Sequence, residues 1–421
     1  MKISIIIPIY NMEQYVADAL DSILIQTLKD VEIICIDDGS TDDSLLILKD
    51  YSKKYENIVV LRQKNSGSGV ARNLGITIAS GEYVCFLDAD DFYASDDVLE
   101  YLYNTAKRQD VLLCGGSSCD YHNGKISTNA MRVERRFEND EYISKEDYPG
   151  FTGYCSFIFN RNFLICNDIK FPEYKRGQDA PFFMKAIECA GGAFCVSKII
   201  YVYRKEHKKT IYDTDKALDL VKSCRDLLLI ANRNKMYNVQ RECINELMGV
   251  VGAVAYLYAY HGSEEMNSLI RECNRIVNKD ILEQTLGRSD KLFLEGEDLI
   301  KYVNDNMIEK KSFLDDLKKK EEIYIFGAGT VGRKVALYLK ENNIKVTSFI
   351  VSDKSKNDSE IDGIAVNETD FIQVNKKYTI IIATFWFSQD KIIKMLHKYG
   401  IGNIYPIDLK RFFLWQGAVE H

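Results

Sequence analysis

Along the first hundred residues, short apolar runs rich in β-branched side chains alternate with longer segments in which apolar and polar residues recur at helical spacing. The runs Ile3–Ile7, Val31–Ile36, Ile58–Arg62 and Tyr83–Leu87 read as strands. Between them, Glu13–Thr27, Asp42–Tyr55 and Gly69–Ala79 read as amphipathic helices. This alternation predicts a parallel sheet covered by helices. Such sheets collect ligands outside the carboxyl ends of their strands, so the residues after Ile7, Ile36, Arg62 and Leu87 are expected to line one site.

From about residue 111 to 205 the pattern loosens into short strands and turns with many aromatics, and a helical segment resumes at Asp179. Residues 213–320 are helical in period, charge-rich and poor in Gly and Pro, which predicts a helical connector. A fresh strand, glycine turn, helix and strand begin at Glu322. The chain therefore divides into an α/β domain over 1–212, a connector over 213–320 and a small α/β domain over 321–421.

A length of 421 residues agrees with two or three units. With 55 basic and 62 acidic residues the net charge is −7, and no dense Lys/Arg tract occurs, which argues against a nucleic-acid partner. A small anionic ligand stays open, because a metal ion can supply positive charge locally. The eleven cysteines, among them Cys35, Cys85, Cys155, Cys189 and Cys243, are scattered rather than paired at ligand spacing and read as reduced, cytosolic thiols. The opening MKISIIIPIYN is too short for a signal peptide and is interrupted by Pro8. Leu247–Tyr260 falls short of the ~18 apolar residues that a spanning helix needs. No transmembrane segment is expected, and peripheral membrane association stays open.

Four motifs stand at the predicted strand ends: PIYN at 8–11, DDGSTDDS at 37–44, NSGSGVARNLGI at 65–76 and DADD at 88–91. DADD concentrates Asp88, Asp90 and Asp91 on one turn, and hard carboxylate oxygens so crowded suit Mg²⁺ or Mn²⁺. A helix N-cap at Asp90 or Asp91 is the plainer alternative. In DDGSTDDS, turn chemistry accounts for Gly39, Ser40 and Thr41 but not for two carboxylates directly at the strand end. NSGSGVARNLGI is a glycine-bearing loop entering a helix, a geometry that offers backbone N–H groups to an anion, and Arg72 is its one cationic side chain.

Taken together, in order and spacing, these motifs resemble the family 2 glycosyltransferases of GT-A fold over roughly residues 1–210. The resemblance implies a metal-dependent, inverting transfer from a nucleotide-diphosphate sugar to a glycan or lipid-linked glycan acceptor. It implies Asp90 as metal ligand and Asp88 near the donor ribose or metal waters. It makes Asp38 the acceptor for N3–H of a uracil or thymine, with Pro8 and Tyr10 flanking the base, and UDP is favoured over dTDP. Asn65, Gly67 and Arg72 fall beside the donor, Arg72 either near the diphosphate or supporting the DADD loop. KRGQDAPFF resembles the segment that carries the catalytic base, assigned to Asp179, but Gln178 stands where the family usually has Glu. Asp179 could equally cap the helix before Pro181. YVYRKEHKKT at 201–210 resembles a basic segment closing over the diphosphate, with Arg204 as a donor-binding cation and His207 as a further metal ligand or a plain surface residue. The setting implied is bacterial surface polysaccharide synthesis at the cytoplasmic side of the membrane.

Gly327, Gly329 and Gly332 lie between the first strand and helix of the last domain, with Asp353 at the next strand end. This is a dinucleotide-binding pattern in its usual context, although such glycines also serve plain strand–helix packing. Similar domains are appended to bacterial sugar transferases, so a Rossmann-like accessory domain is expected. Two other activities stay open: an NAD(P)-dependent sugar-nucleotide oxidoreductase centred on this domain, and an inactive, transferase-like binding module.

Overall fold

The computed structural model describes the chain except for residues 123, 128–136, 152, 205–213, 288–289, 354–358, 374–377, 385, 409–411, 413 and 416–421. It divides into two compact units, Met1–Leu247 with Arg271–Leu292, and Met248–Ile270 with Phe293–His421.

The first unit begins β1 (Ile3–Ile9), α1 (Val16–Leu24), β2 (Val31–Asp37), α2 (Ser44–Lys54), β3 (Ile58–Arg62), α3 (Ser68–Ile78) and β4 (Tyr83–Phe86). It continues through β5 (Phe92–Tyr93), α4 (Val98–Gln109), β6 (Leu113–His122), β7 (Lys125–Ser127), β8 (Glu141–Ser144), β9 (Phe157–Asn160), α5 (Arg161–Cys166), α6 (Asp179–Ala190) and β10 (Gly192–Arg204). One mixed sheet runs in the order β3-β2-β1-β4-β9-β6-β10-β5, with β7 on β6 and β8 on β10. β3, β2, β1 and β4 are parallel, and β9 is antiparallel to both β4 and β6. β1 lies inside the parallel part and is buried on both faces, which is why it reads as an apolar run interrupted only by Ser4 and Pro8.

Helix α3 lies unusually close to the sheet. A Cβ on Gly75 would meet Ile6 Cγ2 at 2.4 Å, so glycine is required there. That close approach brings the N-terminus of α3 to the tips of β1, β2 and β4. Behind the tip of β4, Phe86, Tyr154, Phe171 and Phe182 pack together, the last two stacked with centroids 3.8 Å apart.

The parallel half follows the predicted pattern, with α1 and α2 shorter than expected. Helix α1 starts at Val16 rather than Glu13, because Asn11 takes a left-handed conformation and residues 11–13 are tied to the loop after β2. The segment 213–320 holds α7 (Thr214–Arg233), α8 (Tyr237–Met248), α9 (Val250–Tyr260), α10 (Glu264–Ile276), α11 (Lys279–Leu286) and α12 (Gly296–Leu317), and these helices are shared out between the two units. Among the described residues no single helix is long and apolar enough to cross a membrane. All eleven cysteines are free thiols.

The second unit carries β11 (Ile323–Phe326), α13 (Thr330–Glu341), β12 (Ser348–Val351), β13 (Glu360–Ile361), β14 (Ile364–Glu368), β15 (Thr379–Ile382), α14 (Trp386–Lys398) and β16 (Asn403–Pro406). Its sheet order is β13-β14-β12-β11-β15-β16, parallel except for β13. Separate apolar clusters cover its two faces, as a doubly wound sheet requires.

Candidate active site

The loops after β1 and β2 are knitted together by short polar side chains. Asn11 N donates to Ser40 Oγ at 3.1 Å, Met12 N to Ser44 Oγ at 2.7 Å, and Thr41 N to Asn11 Oδ1 at 2.8 Å. Pro8 is half-buried and Tyr10 presents its ring to solvent at 45% exposure. Of the two carboxylates ending β2, Asp37 is structural: it accepts from Ser40 N and lies 3.1 Å from Arg62 Nε. Asp38 is buried and accepts from Gln63 Nε2, Ser66 N and Gly67 N, each at 2.8 Å. It thereby fixes the glycine loop, in which Asn65 is exposed and Gly67 holds φ +93°. A carboxylate offers about four acceptor directions, so Oδ2, with one partner, has capacity to spare.

The DADD turn after β4 is held from two sides. On one, Arg72 of α3 is buried and donates through Nη2 to Asp88 Oδ1 at 2.6 Å. Its guanidinium lies 5.2 Å from the ring of Tyr154 and 5.3 Å from that of Phe171. Burial works against this charge, but the attraction and hydrogen bond of Asp88 outweigh it and hold the guanidinium pKa above its ordinary value. Burial also lifts the Tyr154 phenol well above its usual range, so it stays a neutral donor, 3.4 Å from Asp88. Arg72 thus bonds the DADD loop from α3.

On the other side, Asp91 is fully buried and accepts from Tyr201 Oη at 2.9 Å and Arg204 N at 2.8 Å. Arg204 donates to Asp90 O at 3.0 Å and to Asp18 at 2.9 Å, and three aromatic rings, Tyr15, Phe92 and Tyr121, surround its guanidinium. Its side chain is thus engaged in holding the turn. His207 lies outside the described residues. Oxygens of Asp88, Asp90 and Asp91 come within 4.8 Å of one another. Hard donors this close fit a small divalent cation such as Mg²⁺ or Mn²⁺.

Asp179 is the first residue of α6 and half-buried; the N-cap position falls to Gln178, so Asp179 does not cap the helix. The turn before it is pinned by α7: Tyr174 Oη donates to Asp226, Lys175 N to Asp219, and Ser223 Oγ to Gly177 O, each at 2.7 Å. Gln178 Nε2 donates to Ser68 Oγ at 2.7 Å. The N-terminal end of α3 is therefore tied at once to Asp38, to Asp88 through Arg72, and to the residue preceding Asp179. Sequence reasoning missed Ser68, Gln63, Tyr154 and Tyr201. Gln63 follows the tip of β3, where the strand-end rule points, and Tyr201 opens the basic segment at 201–210, whereas Tyr154 carries no local pattern.

Residues 4–166 match the family model described as glycosyl transferase family 2. The N-terminal domain belongs to this family. This family 2 domain is 42% identical over 191 residues to the poly(ribitol-phosphate) beta-glucosyltransferase of Bacillus spizizenii, covering 44% of this chain and 29% of that one. The chain thus spans less than a third of that relative's length. A longer similarity, 27% over 346 residues, covers 76% of this chain and 75% of the minor teichoic acid biosynthesis protein GgaA of Bacillus subtilis. In structure, the chain resembles S. aureus TarS 1–349 in complex with UDP, with TM-score 0.56, 21% identity, and coverage of 74% of this chain and 92% of that one. The fold of the family 2 domain is accordingly of GT-A type.

In the second unit, two of the three glycines are explained by packing. A Cβ on Gly327, which has φ +108°, would lie 2.8 Å from Ala383 O, and one on Gly332 would lie 1.8 Å from Gly327 O. Gly329, at the N-cap of α13, meets nothing within 4 Å. Asp353 follows β12 and is half-buried.

Proposed function

We propose that this chain is a glycosyltransferase that moves a sugar from a UDP donor to a hydroxyl of a glycan or lipid-linked glycan, with inversion, during assembly of a bacterial surface polymer. The observation that carries this reading is the single anchorage of Asp38, Asp88 and the Gln178–Asp179 corner on the N-terminus of α3. The names of the relatives, a poly(ribitol-phosphate) glucosyltransferase and a teichoic acid biosynthesis protein, support a cell-surface polymer, and the UDP complex of TarS supports UDP. A UDP-sugar substrate and free thiols support a site of action on the cytoplasmic side of the membrane.

In this reading the spare acceptor direction of Asp38 takes N3–H of the uracil, and the exposed Tyr10 ring with Pro8 flanks the base. Asn65 and Gly67 border the donor. Asp179 takes the proton from the acceptor hydroxyl, which attacks the anomeric carbon from the face opposite the diphosphate. Asp90 with Asp88 would hold Mg²⁺ or Mn²⁺, which supplies positive charge for the departing diphosphate. Arg72 and Arg204 keep the two carboxylates presented, one through a side chain and the other through the backbone.

A panel of UDP-, dTDP- and GDP-sugars, incubated with the protein and Mn²⁺, tests this directly. Release of UDP from a UDP-sugar is expected. Asp38→Ala is expected to weaken UDP binding at least about tenfold, because it removes an ionised acceptor and loosens the amides of residues 66 and 67. Turnover of GDP-sugars alone would sink the pyrimidine assignment, and turnover of none would sink the whole reading.

A further inference from the structure

Gln178 sits at the N-cap of α6 and is buried, yet its side chain makes no capping bond to that helix. A polar side chain in this position ordinarily satisfies the N–H groups of its own first turn. Here the amide reaches instead to Ser68 Oγ, 2.7 Å away on the first turn of α3. The contact is close on all sides: a Cβ on Gly69 would lie 3.1 Å from Gln178 Cγ and 3.1 Å from Pro172 O. Further along α3, Asn73 exchanges two hydrogen bonds with the backbone of Phe171, at 2.8 and 2.9 Å. Helix α3 thus grips the segment 171–178 at two levels. The Asn73 pair fixes where the segment enters, and the Gln178–Ser68 bond fixes where it ends, one residue before Asp179. Because Ser66 N and Gly67 N are held by Asp38, a continuous polar path runs from Asp38 through residues 66–68 to Gln178.

We propose that Gln178 is a positioning residue for Asp179: its bond to Ser68 sets the base relative to the loop that holds the sugar nucleotide. This rests on Asp179 being the base in the reaction proposed above. The bond requires a partner of that length at 178 and a hydroxyl at 68, and either can supply the hydrogen. A carboxylate at 178 would accept from Ser68 Oγ–H where the amide donates.

The test compares Gln178→Ala, Ser68→Ala, the double variant and Gln178→Glu, with Asp179→Asn as reference, in steady-state transfer from the UDP-sugar. Each alanine variant is expected to lose about 10–100-fold in kcat, the cost of a slightly misplaced reacting group, with donor KM within about twofold of wild type. The double variant should lose no more than the worse single one, because both act through one bond. Gln178→Glu should recover most of kcat. Melting temperatures identify any variant that fails to fold; Ser68→Ala and Gln178→Glu then still test the bond from its other end and by rescue. Unchanged kcat in the alanine variants, additive losses, losses confined to donor KM, or failure of Gln178→Glu to rescue would each overturn the proposal. If wild type turns over and Asp179→Asn does not, such a result sinks this proposal alone; if wild type never turns over, the transferase reading falls with it.

Discussion

Asp179→Asn is expected to lower turnover by about 10²–10⁴-fold, the usual range for loss of a general base. The substitution keeps the shape of the side chain and leaves the start of α6 in place. Its anchors, Tyr174 to Asp226, Lys175 N to Asp219, Ser223 to Gly177 and Gln178 to Ser68, do not involve the Asp179 carboxylate. What is lost is the ability to accept a proton from the acceptor hydroxyl. UDP binding should stay within about twofold of wild type, since an interaction made chiefly in the transition state leaves ground-state binding almost untouched. Single-turnover assays with saturating donor, paired with a UDP titration, check both halves. An unchanged rate would refute the assignment of the base.

The second large effect is expected at Asp90. Asp90→Ala should remove metal-stimulated transfer, a loss of roughly 10²–10³-fold if the cation contributes several kcal/mol to the leaving group. UDP binding should also lose its dependence on Mn²⁺. Asp91, its neighbour in the chain, should behave differently. Its carboxylate is fully buried and accepts from Tyr201 and Arg204 N, so Asp91→Ala leaves those donors without a partner and should cost about 1–3 kcal/mol of stability. Adjacent carboxylates would then separate into one that fails in assay and one that fails on heating. Equal UDP binding by Asp90→Ala and wild type, with and without chelator, would count against the DADD site.

The parallel half of the first unit was legible because its inner strands β1, β2 and β4 are buried on both faces and the following loops carry polar turn residues. Helix α3 shows how far that legibility extends. Its glycine-bearing entry was readable. That Gly75 lets it lie against Ile6, and that its first turn gathers three separate loops, required the structure. Arg72 and Arg204 illustrate the limit. A cation in a motif looks the same in sequence whether it faces a ligand or its own fold, and both prove buried against aromatic rings and Asp residues. Strands β6, β9 and β10 were readable only as an irregular region, since their pairing partners lie far off in sequence. The helices between 213 and 320 have an ordinary helical period, which carries no record of the unit each one joins.

In the proposed reaction one cleft, at the tips of β1, β2 and β4 and the start of α3, holds the sugar nucleotide. Hydrogen exchange of the intact chain, with and without UDP and Mn²⁺, reads out where the nucleotide sits. Slowed exchange is expected in residues 8–11, 38–41, 65–72 and 88–91, with residues 327–332 unchanged. Protection confined to the glycine turn at 327–332, or absent from all of these segments at saturating UDP, would contradict it.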